Sequence, residues 1–161
     1  MSRSGAPEKK HLNIGFIALT DCASLVMASE LGLFRKHGLE VELYRQPSWA
    51  AIRDRVTLGE LDAAHMLYGQ IYGVHLGVGG PRTAMAALMG LNHNGQSIVF
   101  SNRLREEGAV DGPSLKRLLA RGERSYTFAQ TFPTGTHAMW LYYWLAANGI
   151  HPMKDAKVIT V

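Results

Sequence analysis

The sequence predicts an α/β fold built on parallel, helix-covered sheets. Short apolar or alternating segments take turns with segments of helical period, and parallel strands need such crossover helices where hairpins do not. Of its 161 residues, 47% are hydrophobic and 19% charged, an ordinary globular balance that predicts a packed core. The chain also closes on "AKVITV", a strand-like run with no helix after it, which reads as an unfinished lobe.

The elements follow in order. Residues 1–11 are polar with Gly5 and Pro7 and read as a flexible tail. "HLNIGFIALTD" is an apolar strand ending at Thr20 and Asp21, both good N-cap types. Ser24 to His37 carries Leu25, Ala28, Leu31 and Leu33 near helical spacing, with Gly38 as the C-terminal stop. "LEVELYRQ" alternates with period two, as a half-buried strand does. In "PSWAAIRDRVTLGELD", Pro47 and Ser48 open a helix that places Ile52 and Val56 on one face, and "DAAHML" is a short buried strand. Tyr68 to Gly80 is helical but glycine-rich and breaks at "GVGG". After the apolar "RTAMAALMGLN", "QSIVFSN" resumes a strand, and Arg103 to Pro113 is a charged, turn-like crossover. A helix at Ser114 to Arg121, a strand at Tyr126 to Thr131, a helix at Thr136 to Asn148 and the final strand make a further β-α-β unit.

Charge and cysteine usage narrow the function classes. The net charge of +4 comes from 17 Lys and Arg against 13 Asp and Glu, and the basic residues are scattered among Lys9/Lys10, Arg103/Arg105 and Lys116/Arg117/Arg121/Arg124. Scattered cations on solvated faces argue against direct nucleic-acid binding and support only a bias toward anionic ligands. There is no apolar run of signal-peptide length near the start and none long enough to span a membrane. The expectation is therefore a cytoplasmic protein with no membrane span, or a periplasmic one if a leader is missing from this sequence. Cys22 is the single cysteine, so no internal disulfide and no CxxC metal site is expected.

Most candidate chemistry is weak. "GVGGPR" lacks the spacing of a phosphate loop and reads as a turn. His65 and His75 have no carboxylate at ligand spacing, so no metal and no cofactor is expected. Ser48, Ser97 and Ser101 lack a nucleophile elbow. Two stretches stand apart because each sets polar or aromatic residues where a strand passes into a helix, the place where open parallel sheets bind ligands and free N–H groups favour anions. Trp49 in "QPSWAAIRD" is one; it reads either as a packing residue or as a lid over such a site. "TFPTGTHAMW" is the other: Thr134 or Thr136 can cap, Gly135 permits close backbone approach, and His137 falls in the first helical turn. From spacing alone, His137 reads equally as support for its turn and as an anion contact.

Four segments, "IGFIALTDCASLVMASELGLFRKHGLEVEL", "PSWAAIRDRVTLGELDAAHML", "LNHNGQSIVFSN" and "FPTGTHAMWLYYWLAANGIHPMKD", occur in an order that resembles the nitrate- and bicarbonate-binding proteins of ABC transporters and their cytoplasmic relatives that sense nitrate and nitrite. The resemblance runs from Leu12 to Val161. It implies a periplasmic-binding-protein-like α/β fold, with one nearly complete parallel-sheet lobe at residues 12–101, a hinge or crossover at 102–112, and a partial second lobe at 113–161. It also implies a small oxyanion in the interlobe cleft, touched at positions matching Trp49, Asn94 and His137, with Gly135 and Thr136 in the same turn. Nitrate transporters often carry glutamine at the second position; Asn94 is the alignment here and Gln96 its rival. Family members are more than twice as long, and their later part supplies further contacts, including a lysine that pairs with nitrate.

The function so implied is binding without catalysis: a cytoplasmic nitrate/nitrite sensor whose partner is an RNA-binding antiterminator regulator. The alternatives are the substrate-binding component of a nitrate or bicarbonate ABC transporter, partnered by an ABC permease, and a fragment that binds nothing. The same fold family includes proteins of thiamine-pyrimidine synthesis in which a histidine takes part in the chemistry, but their cysteine-rich or lysine/histidine constellation is not found in this chain.

Overall fold

Alternating strand and helix segments fold here as parallel β-α-β units. The computed structural model describes residues 7–93 and 95–161. It divides into two compact units, Met1–His93 and Asn94–Val161.

In the first unit, β1 (His11–Phe16), β2 (Glu40–Arg45) and β3 (Ala63–Ala64) form a parallel sheet in the order β2-β1-β3. Ile14 of the central strand lies opposite Leu43 on one side and Ala63 on the other. Gly15 is buried on that strand, and a Cβ there would come within 2.6 Å of Leu61 Cδ1, so the sheet and the turn before β3 close over a position that admits no side chain without a shift. The crossover from β1 is not one helix. A 3-10 turn at Thr20–Cys22 leads into α1 (Ala23–Glu30), and Gly32, with φ of 67°, breaks the run before α2 (Leu33–Lys36). Neither Thr20 nor Asp21 caps through its side chain, correcting the expected N-cap: Leu19 and Cys22 take those positions, and the Asp21 carboxylate turns to His65 instead. Gly38, with φ of 75°, is the expected stop after α2, in the left-handed conformation that costs glycine least.

Ser48 caps α3 (Trp49–Thr57) by accepting from the Ala51 N–H at 3.1 Å. Trp49 and Ile52 form its buried face. In α4 (Tyr68–Leu76), Gly69, Gln70, Gly73 and Val74 are buried, and Gly77 ends the helix with φ of 76°.

The expected strand "QSIVFSN" does not form. Residues 95–100 take no regular structure, and Ile98 and Val99 are exposed. Strand-forming residues make a strand only where a neighbour completes the hydrogen-bond ladder, and among the described residues none pairs with this stretch. The turn-like crossover instead contains the short helix α5 (Asn102–Glu106), capped by Ser101, whose Oγ accepts from the Leu104 N–H.

In the second unit, α6 (Gly112–Ala120) begins in a reciprocal capping box: Asp111 accepts from the Ser114 N–H at 2.8 Å, and Ser114 Oγ accepts from the Asp111 N–H at 3.0 Å. Strands β4 (Thr127–Gln130) and β5 (Lys157–Thr160) pair in parallel across α7 (Thr136–Ala147). The core gathers Ala109, Leu115 and Leu118 with Leu141, Leu145 and Ile150, and Phe100 and Leu104 pack against it. Met139, Trp140 and Tyr143 of α7 remain exposed.

Candidate functional site

The carboxyl ends of the three strands in the first unit converge on polar residues. After β1 comes Asp21, after β2 come Gln46, Ser48 and Trp49, and directly after β3 comes His65. Gln46 is buried; its backbone N–H donates to Phe16 O at 2.8 Å, which extends the β1–β2 ladder. Trp49 is 9% exposed, so it is packed rather than open. Its indole meets the His65 ring edge-on, with centroids 5.2 Å apart and planes at 69°. Its carbonyl accepts from Gln70 Nε2 at 2.9 Å. His65 Nε2 lies 3.1 Å from Asp21 Oδ2.

The second unit repeats the strand-to-helix arrangement. β4 ends at the buried Gln130, whose Oε1 has no hydrogen-bond partner among the described residues. Gly135 is the N-cap residue of α7 with extended backbone (φ −74°, ψ 156°) and no side-chain bond, so neither Thr134 nor Thr136 takes the capping role expected of them. Its carbonyl receives the Ala138 and Met139 N–H groups at 3.1 and 3.3 Å. Thr136 and His137 open the helix, both half-buried. His137 Nδ1 is 3.2 Å from Thr131 Oγ1, which ties the ring to the chain just beyond β4. The amino end of α7 carries the positive pole of the helix dipole, equivalent to roughly half a charge, beside an imidazole of set orientation. Such an end suits a small anion, through backbone N–H groups and a side-chain donor acting together.

The structure thus gathers Gly135, Thr136 and His137 in one turn and sets Trp49 among His65, Gln70 and Asp21 in the other unit. Asn94 lies outside the described residues. Gln96 is exposed within a stretch of no regular structure. Sequence reasoning missed Asp21, His65, Gln70, Gln130 and Thr131. The one available signal was position: apart from Gln70, each follows or ends a strand at its carboxyl end, where parallel sheets place their ligands.

Comparison with known proteins bears on this geometry. The model of the NMT1-like family matches residues 5–161. The nitrate/nitrite binding protein NrtA of Synechocystis sp. is 41% identical over 164 residues, covering 97% of this chain and 36% of NrtA. The nitrate import ATP-binding protein NrtC of the same organism is 39% identical over 155 residues, covering 94% of this chain and 23% of its own length. The crystal structure of the periplasmic nitrate-binding protein NrtA from Synechocystis superposes with a TM-score of 0.85, over 97% of this chain and 42% of that one. The chain spans about two fifths of that length. With parallel β-α-β units that superpose on a solved nitrate-binding relative and a family model matched almost from end to end, the chain belongs to the NMT1-like family and has part of its periplasmic-binding-protein-like fold.

Proposed function

We propose that this chain carries the anion-recognition part of an oxyanion-binding protein of the nitrate/nitrite class, acting as the substrate-binding component of an ABC transporter, without catalysis. The observation that carries this reading is the first turn of α7, where Gly135, Thr136 and His137 present a helix amino end and an imidazole held by Thr131. In the tautomer whose Nδ1 accepts from the Thr131 hydroxyl, Nε2–H is the nitrogen left to donate to an oxyanion. Trp49, at the equivalent strand-to-helix passage of the first unit, and Asn94 are the further ligand contacts that the family resemblance implies.

The transport reading is supported by the relatives' names, which are nitrate-binding and transport components; one is the bicarbonate transport ATP-binding protein CmpC of Synechococcus elongatus, 36% identical over 157 residues. The partner is then an ABC permease and its ATPase, and the compartment periplasmic. The sensor with an antiterminator partner stands second, because it rests on the start of the chain, and where a chain starts does not decide its compartment. No helix among the described residues is long and apolar enough to cross a membrane. In domain terms, residues 12–101 correspond to lobe one, 102–112 to the crossing and 113–161 to the beginning of lobe two.

Calorimetric titration with nitrate, nitrite and bicarbonate, on this chain and on a full-length relative, tests the reading. Nitrate or nitrite heat that disappears in His137→Ala is the expected result. The lost hydrogen bond to a charged group, about 1.5–3 kcal/mol, corresponds to at least roughly tenfold weaker binding. Absence of heat with all three anions in the full-length relative would refute the ligand class.

A further inference from the structure

Around Trp49 the first unit buries more polar chemistry than packing requires. The His65 side chain is 4% exposed, its Nε2 is paired with Asp21 Oδ2 at 3.1 Å, and its backbone N–H donates to Gly15 O at 2.9 Å. Gln70 is fully buried and donates to the Trp49 carbonyl. Asp21 Oδ1, His65 Nδ1 and Gln70 Oε1 are buried with no hydrogen-bond partner among the described residues. An apolar filling of the same volume would avoid these desolvation costs, and an imidazole–carboxylate pair with its imidazole buried adds little or nothing to stability over such a filling. What the pair does add is direction. A histidine tied at Nε2 and at its backbone cannot turn its ring, so the edge it offers the indole is fixed, and edge-to-face contact is the geometry aromatic pairs prefer.

We infer that Asp21 and His65 are positioning residues for Trp49. Asp21 holds the His65 ring, His65 holds the indole plane, and Gln70 holds the Trp49 backbone, so the aromatic wall is ordered before any ligand arrives. The inference rests on the assignment of Trp49 to the anion site made above. Residues that follow the carboxyl ends of three adjacent strands thus form one relay of contacts, from Asp21 to His65 to the Trp49 ring, with the Asp21 side chain at the outer edge, 38% exposed. Ordering the wall in advance removes a cost otherwise taken from binding, and its loss weakens affinity by roughly two- to tenfold.

The test uses the whole chain with Trp140→Phe and Trp144→Phe, so that emission reports Trp49 alone. Without anion, Asp21→Ala is expected to shift Trp49 emission to the red and lower its anisotropy while a cooperative melt persists. Asp21→Asn, whose amide oxygen still accepts from His65 Nε2–H, is expected to restore both. If Asp21→Ala does not fold, His65→Phe takes its place: it keeps an aromatic ring but cuts the tie to Asp21, and the same red shift and loss of anisotropy are expected. Emission and anisotropy at parental values in the folded variant, or failure of Asp21→Asn to restore them, would overturn the inference. A red shift that Asp21→Asn reverses, in a parental protein whose emission ignores nitrate, would support the positioning role and refute Trp49 as an anion contact.

Discussion

His137 owes its orientation to a contact within its own unit, the 3.2 Å approach of its Nδ1 to Thr131 Oγ1. Thr131 follows β4 and His137 opens α7, so the strand end sets the ring and the helix start supplies the N–H groups beside it. Thr131→Val keeps the shape of the side chain and removes the hydroxyl. It is expected to weaken nitrate binding by less than His137→Ala does and to leave the melting temperature within about 3 °C, because a half-exposed hydrogen bond contributes only about 0.5–1.5 kcal/mol. Parallel calorimetric and thermal titrations of the two variants check this. A larger effect of Thr131→Val would mean that the hydroxyl, not the imidazole, meets the anion. Trp49 differs, because it is buried. Trp49→Ala therefore mixes lost contact with lost packing, a cost of about 3–5 kcal/mol, and Trp49→Phe is the informative substitution.

At the scale of elements, α6 and α7 are locked end to end at Gly112. An added Cβ there would come within 2.0–2.4 Å of the Asn148 side-chain atoms, and Asn148 Nδ2 donates to the Trp144 carbonyl at 2.8 Å to close α7. Gly112→Ala must expel that amide from its place and is expected to lower stability by about 1–3 kcal/mol, although alanine ordinarily favours a helix. A urea titration in which Gly112→Ala unfolds at the parental midpoint would show that Asn148 moves aside freely. The Ser48 cap of α3 gives a smaller number: Ser48→Ala leaves the Ala51 N–H unmet and costs about 1 kcal/mol, read from the same titration. These elements were legible in the sequence. Ser48 before an amphipathic run and Gly38 after one act within a single turn of chain, so their identities suffice. The fate of "QSIVFSN", residues 96–102, was not, because a strand requires a neighbour that no local pattern reveals.

Across the whole second unit, two carboxylates set the response to acid. Arg124 first, then Arg103 and Tyr126, hold the Glu107 carboxyl below its ordinary value of 4.5. The Ser114 hydroxyl and backbone N–H hold Asp111 below 3.8. A carboxylate whose folded value is depressed gives stability that is fully present above its ordinary value and is lost as the pH falls through the depressed one. The melting temperature is therefore expected to decline between about pH 5 and pH 2, less steeply in Glu107→Gln than in the parent. Equal slopes would show that the Glu107 ion pairs are screened by solvent. The partners of Glu107 are Arg124, Arg103 and Tyr126, none of them in the turn that carries His137, so anion binding at His137 is expected to survive in Glu107→Gln.

The sequence by itself determined most of the alternation of strands and helices, the Ser48 cap and the Gly38 stop, the turn that carries Gly135, Thr136 and His137, and the family. Each is written in neighbours within a few residues, or in an ordered set of such segments. Only the tertiary structure decided that Asp21 leaves its capping role for His65, that His65 faces Trp49, that Gln70 grips the Trp49 carbonyl, and that "QSIVFSN" forms no strand. The first two outcomes depend on the sheet order β2-β1-β3, which brings distant strand ends side by side. A carboxylate or imidazole is directed by whichever partner the packed sheet presents, and sequence distance does not encode that partner.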